Sequence, residues 1–228
     1  FIDCYDLFIE KIKEDEYQTE SGLKPISSRT ETIEIKDQSS REIGIKRTHH
    51  GILLEPLMQE LGLSEITNSG YQTSLYWSLQ DIPTSAGALS RLPLAKSTEE
   101  FRNYLFEDDI CPLVNNIICV DKDSNLQRYI ATTMPVRKEA TGSVPLSGWH
   151  HKYDFSLAKA NQLLVESNPV AGYSLTANND TMGEEGEFYI HNFPTHNSRA
   201  ERIKELLDNE KKFEVNDFCE MQLDLKDL

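Results

Sequence analysis

Two neighbouring carboxamides, Asn178 and Asn179, are the residues of this chain whose type and position best suit catalysis. They follow Tyr173 to Ala177, where apolar and small polar residues alternate as they do in a short strand. An asparagine at the end of a strand can aim a neutral N–H donor into a cleft, which is what an oxyanion hole requires. Asn-Asn pairs are also common in simple turns, so the residue type alone leaves both interpretations open.

A predicted helix start about twenty residues later brings a cation toward the same region. Ser198 and Glu201 have the spacing of a capping box, which predicts that a helix begins at Ser198 and places Arg199 in its first turn. The helix dipole disfavours a cation at this end, which favours a specific task for Arg199 over a merely exposed position.

The elements that must position these residues are hairpins and separate helices. Asn168, Pro169 and Gly172 predict a tight turn before the Tyr173 segment. The pattern from about residue 5 to residue 15 is compatible with a helix or a strand, and the stretches 83–96 and 141–168 are expected to be long connections. The clearest patterns predict two hairpins, over residues 31–45 and 113–132, and the second of these begins with a buried strand. They also predict three helices: one that starts at Ser97, one over residues 198–208, and one over residues 217–225 that is capped by Asn216. This mixture favours an α+β fold.

Composition argues against two classes of partner. The chain has 38 acidic and 23 basic residues and a formal net charge of −15, which argues against a nucleic-acid-binding protein, because such a protein needs a basic face. The same charge disfavours an anionic membrane surface, and no apolar run has the length of a membrane span. Phe1, without a preceding methionine or basic lead-in, is expected to be the cut edge of a longer protein.

Cysteines and histidines give no recognisable metal or redox motif. The four cysteines include no C-x-x-C pair, and Cys111 and Cys119 are expected to be buried apolar side chains. None of the six histidines has the spacing of a known zinc motif, and adjacent residues on a strand face opposite sides. Structural or solvent-facing roles are therefore predicted for the pairs His49-His50 and His150-His151.

Several motifs, taken in order, resemble the penicillin acylase family of N-terminal nucleophile hydrolases. The family shows an Asn-Pro, a Gly-aromatic, an Ala-Asn-Asn, an Arg before an Arg-Ile-x-x-Leu-Leu helix, and a closing Gln-x-Asp. The matching residues here are Asn168-Pro169, Gly172-Tyr173, Ala177-Asn178-Asn179, Arg199, Arg202 to Leu207, Gln222-Leu223-Asp224 and, upstream, Thr48-His49-His50-Gly51. The upstream stretch departs from the family in having Ile52 where proline is common. The resemblance runs from Phe1 to about Asp224.

The resemblance implies roles for seven residues. Asn178 would stabilise the oxyanion of amide hydrolysis, and Arg199 would position Asn178 and the amine of the nucleophile. Phe1 would line the acyl pocket. A structural calcium ion would be bound by Asp3, the carbonyl of Tyr5, Asp6 and Glu187, and no organic cofactor is implied. Two aspartates and a carbonyl are part of the oxygen shell that calcium prefers.

The nucleophile of this family is a terminal Ser, Thr or Cys, and Phe1 has no nucleophilic atom. Residues 1–228 are therefore expected to be one partial catalytic domain, an internal fragment of the nucleophile-bearing subunit. Its partners would be the α subunit and the upstream nucleophile segment of the same precursor. The fragment alone is predicted to be inactive, and the fold to be part of a four-layer αββα sandwich.

The resemblance also implies a substrate class and a location. Substrates would be penicillins, N-acyl homoserine lactones or other N-acyl amines, and the protein would be periplasmic or secreted. Two alternatives belong to other functional classes: a catalytically inactive family member that serves as a binding module, and an unrelated acidic calcium-binding interaction domain.

Overall fold

The computed structural model describes residues 3–62, 69–80, 86–139, 141–179, 197–208 and 212–226. The chain divides into two compact units. The large-sheet unit comprises Cys4–Asp81 and Pro135–Ser156, and the small-sheet unit comprises Phe1–Asp3, Ile82–Met134 and Leu157–Leu228. That the two units form one catalytic domain stays a prediction.

The large-sheet unit is built around a twisted, mostly antiparallel sheet. Its strands have the spatial order β3-β2-β1-β7-β6-β5-β4, with β11 parallel to β1. Their bounds are β1 Tyr5–Lys13, β2 Glu16–Thr19, β3 Gly22–Pro25, β4 Ser27–Ile33, β5 Arg41–Arg47, β6 Ile52–Leu53, β7 Tyr71–Trp77 and β11 Leu146–Ser147. A short helix, α1 (Glu55–Glu60), follows β6.

Strand β1 settles the ambiguous pattern near the start of the chain in favour of a strand. Asp6, Phe8 and Glu10 alternate along one face, and each is at most 1% exposed. The sequence suggested a helix as readily as a strand because two of the three buried positions carry carboxylates rather than apolar groups. Each carboxylate therefore needs a specific polar partner inside this unit.

The hairpin predicted from the alternating isoleucines is confirmed. Strands β4 and β5 pair in an antiparallel register from Ser27 opposite Arg47 to Ile33 opposite Arg41. The strands extend further toward Ser27 than the isoleucine pattern indicated, because this part of the hairpin is solvent-exposed and carries polar residues.

The small-sheet unit contains a three-stranded antiparallel sheet with most of the longer helices. Its strands are β8 (Asn115–Val120), β9 (Leu126–Ala131) and β13 (Leu164–Ser167), in the order β13-β9-β8. The other elements are α2 Ala86–Arg91, α3 Thr98–Leu105, α4 Ser198–Asp208 and α5 Val215–Gln222, with 3-10 turns at Leu92–Leu94 and Ala160–Leu163. Two short strands, β10 (Pro135–Val136) and β12 (Ser156–Leu157), and a 3-10 turn at His151–Tyr153 complete the described elements.

Capping motifs in the sequence predicted where two of three helices begin, and the prediction for the third is wrong. The side chain of Ser97 accepts a hydrogen bond from the backbone N–H of Glu100, as its capping motif requires, and α4 begins at Ser198. The prediction for the last helix is wrong by two residues. Glu214 caps α5 through a reciprocal pair of hydrogen bonds with Asp217, which places Asn216 inside the helix.

Three other predictions are wrong. Residues 173–176 form no strand but run as irregular backbone. The stretches expected to be long connections contain α2, β11 and β13. Strand β8 is not buried, since Val120 is 68% exposed and Ile118 41%. These hydrophobic patterns are short, and a short pattern distinguishes neither a strand from irregular backbone nor a buried face from an exposed one.

Candidate active site

Asn178 and Arg199 lie in direct contact in the small-sheet unit. The Nη2 of Arg199 donates to Oδ1 of Asn178 at 2.6 Å and to the carbonyl of Ala177 at 2.8 Å. Helix α4 carries the arginine in its first turn, as predicted, and its neighbour Ala200 is buried beneath it. Two hydrogen bonds to adjacent groups fix the guanidinium against the end of the 168–179 segment.

This contact determines how the carboxamide of Asn178 is oriented. A guanidinium is only a donor, so the atom facing Arg199 must be the carboxamide oxygen. The N–H bonds therefore lie on the other arm of the planar amide. An asparagine held by its oxygen presents its N–H donors in a fixed direction, which is the geometry that oxyanion stabilisation uses.

Asn179 has a different and local role. Its Oδ1 accepts the backbone N–H of Ala177, two residues earlier, at 2.9 Å, so the side chain turns back onto its own segment. Asn178 occupies left-handed backbone with φ of 63°, a conformation that asparagine tolerates better than most residues. The turn at Asn179 thus stabilises the backbone that turns Asn178 toward Arg199.

The segment before Asn178 is held at its beginning by strand β9. Asn168 exchanges two hydrogen bonds with Leu126: its Oδ1 accepts the Leu126 N–H and its own N–H donates to the Leu126 carbonyl, both at 2.8 Å. The N–H of Gly172 then donates to the carbonyl of Pro169 at 2.9 Å, which is the predicted tight turn. Gly172 has a φ of 76°.

A half-buried ion pair supports the middle of the segment. The Nε of Arg128, a side chain 6% exposed, donates to Oε2 of Glu166 at 3.1 Å, and Ser174 hydrogen-bonds to the same oxygen. Burial opposes the ionisation of Glu166, but the hydrogen bonds from Arg128 and Ser174 outweigh it and lower the pKa of this carboxyl. These residues line a cavity of about 400 Å³ that also borders Asn179.

A further contact joins the segment to the end of α4. The hydroxyl of Tyr173 donates to Oδ1 of Asp208 at 2.6 Å, and this hydrogen bond raises the pKa of the tyrosine. Glu166, Arg128 and Asp208 were not predicted from the sequence. No local signal marks them, because the tertiary fold brings their partners together.

The proposed calcium ligands do not converge on one another as Asn178 and Arg199 do. The Nε of Arg137 donates to both carboxylate oxygens of Asp6 at 3.0 and 2.9 Å, and its Nη2 donates to the carbonyl of Tyr5 at 3.1 Å. Calcium could bind the oxygens of Asp6 and Tyr5 only if the guanidinium of Arg137 moved away, so these oxygens do not fit a calcium ion in the described conformation. Asp3 is buried in the other unit, while Glu187 and Phe1 lie outside the described residues.

Comparison with known proteins decides the family. The model of the family described as penicillin amidase matches residues 1–228. The chain belongs to the penicillin amidase family. This assignment confirms the resemblance inferred from the ordered motifs, which include Asn178 and Arg199.

Named relatives within the family are bacterial acylases. The chain is 26% identical over 216 residues to acyl-homoserine lactone acylase QuiP of Pseudomonas syringae pv. tomato, covering 92% of this chain and 25% of the relative. It is 28% identical over 235 residues to QuiP of Pseudomonas aeruginosa, covering 97% and 27%. It is 24% identical over 233 residues to penicillin acylase 2 proenzyme of Pseudomonas sp. (strain SE83), covering 98% and 28%. The chain thus spans about a quarter of the length of these relatives.

A solved family structure shows the same fold. The thermostable penicillin G acylase of Alcaligenes faecalis superposes with a TM-score of 0.73 at 19% identity, covering 97% of this chain and 39% of that one. The expectation of a fold with both strands and helices is therefore confirmed for the penicillin amidase chain. In the part of the chain that the structure describes, no helix is long and apolar enough to cross a membrane.

Proposed function

We propose that the protein containing this chain is an acylase that hydrolyses the amide bond of N-acyl amines. The observation that carries the proposal is the Arg199–Asn178 contact, because it leaves the amide of Asn178 directed as an oxyanion donor. Family membership supplies the reaction class. The relatives named above act, by their names, on acyl-homoserine lactones and on penicillin, and substrates of these two kinds are proposed here.

In the proposed reaction a terminal hydroxyl or thiol outside this chain attacks the amide carbonyl. Its proton passes to the α-amine of the same residue and then to the leaving amine, so that an acyl-enzyme and a free amine result. Asn178 donates a hydrogen bond to the oxyanion of the tetrahedral intermediate, and Arg199 holds the carboxamide in place. Water then attacks the acyl-enzyme and releases the acid.

The remaining expectations stay predictions. They are a structural calcium ion, the acyl-pocket role of Phe1, assembly with the α subunit and the upstream segment into a four-layer sandwich, and a periplasmic or secreted location. The word proenzyme in the name of one relative supports a processed precursor.

A panel of acyl p-nitroanilides tests the proposal with the full-length protein. We expect release of nitroaniline from at least one acyl chain length, and the preferred length defines the acyl specificity. The absence of hydrolysis across aliphatic and aromatic acyl groups, in protein whose amino-terminal processing has been verified by mass spectrometry, would contradict the acylase function and favour an inactive binding module.

A further inference from the structure

The adjacent histidines of the large-sheet unit converge with an aspartate from a distant part of the chain. The Nε2 of His50 lies 3.2 Å from Oδ1 of Asp154, and the Nε2 of His49 lies 3.8 Å from the same oxygen. One ligand atom from each of the three residues lies within 4.8 Å of the others. The two rings reach a common point because residues 48–50 follow β5 in a bend rather than in a strand.

These separations match the edges of a small coordination polyhedron. Zinc bonds of about 2.0–2.2 Å to nitrogen and oxygen place neighbouring ligands of a tetrahedron about 3.3–3.6 Å apart. Both measured distances from Asp154 are close to that range, so the three donors could bind one ion with only small side-chain movements.

The orientation of His50 is fixed by a buried carboxylate. Its Nδ1 lies 3.0 Å from Oε1 of Glu10, which also accepts hydrogen bonds from Thr48 at 2.8 Å and Ser74 at 2.7 Å. The ring stacks on Phe8 with centroids 3.7 Å apart. When Nδ1 carries the proton toward Glu10, the lone pair on Nε2 faces Asp154, the arrangement by which carboxylates orient metal-binding histidines.

The charges around His50 call for a cation. The Oε2 of Glu10 is buried and has no hydrogen-bond partner among the described residues, and a Cβ placed on Gly148 would lie only 2.2 Å from it. Glu10 and Asp154 therefore present two negative groups on opposite sides of one imidazole. Either a second proton on the ring or a metal ion beyond Nε2 relieves the repulsion between that lone pair and Asp154.

His49 distinguishes the metal ion from the proton. A proton on His50 joins only two of these atoms, whereas one metal ion would use a ligand atom from each of the three residues. His49 is also held in place: its backbone N–H donates to the Tyr17 hydroxyl at 3.2 Å, and the two rings stack.

A coordination position on the solvent side is available for water or a ligand. His49 and Asp154 line a cavity of about 440 Å³ in this unit, together with Gly148 and Trp149. Two imidazoles and one carboxylate form a mixed nitrogen and oxygen set, which suits zinc better than calcium or magnesium, whose ligands are oxygens.

We propose that His49, His50 and Asp154 bind one zinc ion, with Glu10 orienting His50 behind it. The site ties the bend after β5 to the segment before β12 within a single unit. Zinc binding at this site does not depend on acylase activity, so an experiment can confirm or contradict the zinc site independently of the proposed function.

Isothermal titration of chelator-treated full-length protein with ZnCl₂ tests this site, and CoCl₂ serves as a spectroscopic probe of ligand geometry. We expect one zinc ion per chain and the visible absorption of low-symmetry cobalt. His49→Asn and Asp154→Asn each remove a ligand and are expected to weaken binding at least about tenfold, the lower end of the loss from removing a supporting partner. Glu10→Gln is expected to weaken binding about 10–100-fold.

His150→Asn is the matched control, because His150 is an exposed histidine four residues from Asp154 and outside the donor set. Its zinc affinity should equal that of the wild type. The absence of stoichiometric zinc binding would overturn the proposal, as would unchanged affinity in both His49→Asn and Asp154→Asn when circular dichroism shows them folded. Tighter binding of calcium than of zinc at this site would also overturn it.

Discussion

At the scale of single residues, the two adjacent carboxamides differ in what they contact. Asn179 accepts a hydrogen bond from its own segment, whereas Asn178 accepts one from a helix that begins twenty residues later. Both hydrogen bonds use the carboxamide oxygen, but the one at Asn178 holds its side chain against a separate element, α4. The assignment of the oxyanion role to Asn178 thus rests on a contact that the residue type alone could not show.

Replacing Arg199 by alanine should misdirect the carboxamide of Asn178 while leaving α4 folded, because Arg199 is exposed. Misplacement of a catalytic group by about 1 Å costs about a hundredfold, so we expect a fall of this size in kcat with a smaller change in KM. Steady-state hydrolysis of the best anilide measures it. Arg199→Lys should retain part of the activity, and wild-type kcat in Arg199→Ala would show that the contact is not used.

Arg137 should contribute strongly to stability. Its side chain is 3% exposed and that of Asp6 1%, so removing the guanidinium leaves a buried carboxylate without its charge partner. We expect Arg137→Ala to lower the free energy of unfolding by about 3–5 kcal/mol, measured by urea denaturation. The double variant Arg137→Met/Asp6→Leu should recover much of this loss. A neutral effect of Arg137→Ala would mean that another cation replaces the guanidinium.

Two cysteines should differ sharply in reactivity. Burial raises the pKa of Cys111 to about 11, whereas Cys219 is exposed. Since the thiolate is the reacting form, iodoacetamide at pH 8 should label Cys219 within minutes and leave Cys111 unmodified in the folded protein. Peptide mass spectrometry reads out both sites, and equal labelling would contradict the described burial.

At the scale of elements, the 168–179 segment has an ordered position without being a strand. Hydrogen bonds tie it to β9 at Asn168, to Glu166 on β13 at Ser174 and to α4 at Tyr173 and Asn178. The residue types of Tyr173 to Ala177 alternate, but their burial does not, because residues 173–176 are all half-buried and Ala177 is buried.

The contribution of Glu166 to this packing should depend on pH. Its pKa is lowered in the folded protein, so its stabilising effect is complete above the pKa of an unfolded glutamate, near about 4.3, and is lost as pH falls through the lower folded value. We therefore expect Glu166→Gln to lower Tm at pH 7 and the difference from wild type to shrink below about pH 4.

Differential scanning calorimetry from pH 7 to pH 3 measures the difference in Tm between Glu166→Gln and the wild type. Glu201→Gln, an exposed glutamate beside the same cavity, is the control and should show no such pH-dependent difference. A difference between Glu166→Gln and wild type that stays constant to pH 3 would show that the ion pair with Arg128 does not lower the pKa of Glu166.

At the scale of the whole molecule, the sequence predicts what is locally encoded. The β4–β5 hairpin, the helix starts at Ser97 and Ser198, and the turn at Gly172 follow from neighbouring residues, and the structure has all of them. The contact between Asn178 and Arg199 was expected from the family resemblance rather than from periodicity.

The contacts that the sequence could not predict join residues that are far apart in the chain. Asp6 meets Arg137 across 131 residues, and His50 meets Asp154 across 104. Buried carboxylates interrupt the hydrophobic alternation of β1, which is why that strand was ambiguous. The histidine pair was interpreted as structural because two neighbours on a strand cannot face one site, and the bend after β5 removes that restriction.

The expected dependence on the rest of the protein belongs to this scale as well. The chain spans about a quarter of its curated relatives, and the proposed nucleophile lies outside it. We expect the isolated 228-residue chain to show no anilide hydrolysis, while the full-length protein shows it under the same assay. Turnover by the purified chain, retained through gel filtration, would contradict an external nucleophile.

Asn178→Asp in the full-length protein tests whether the carboxamide N–H of Asn178 stabilises the oxyanion. Aspartate keeps an oxygen for Arg199 and the left-handed backbone but removes the donor. We expect kcat to fall at least about a hundredfold with little change in KM, while Asn179→Ser should remain active. A kcat for Asn178→Asp close to that of the wild type would contradict the oxyanion role of Asn178.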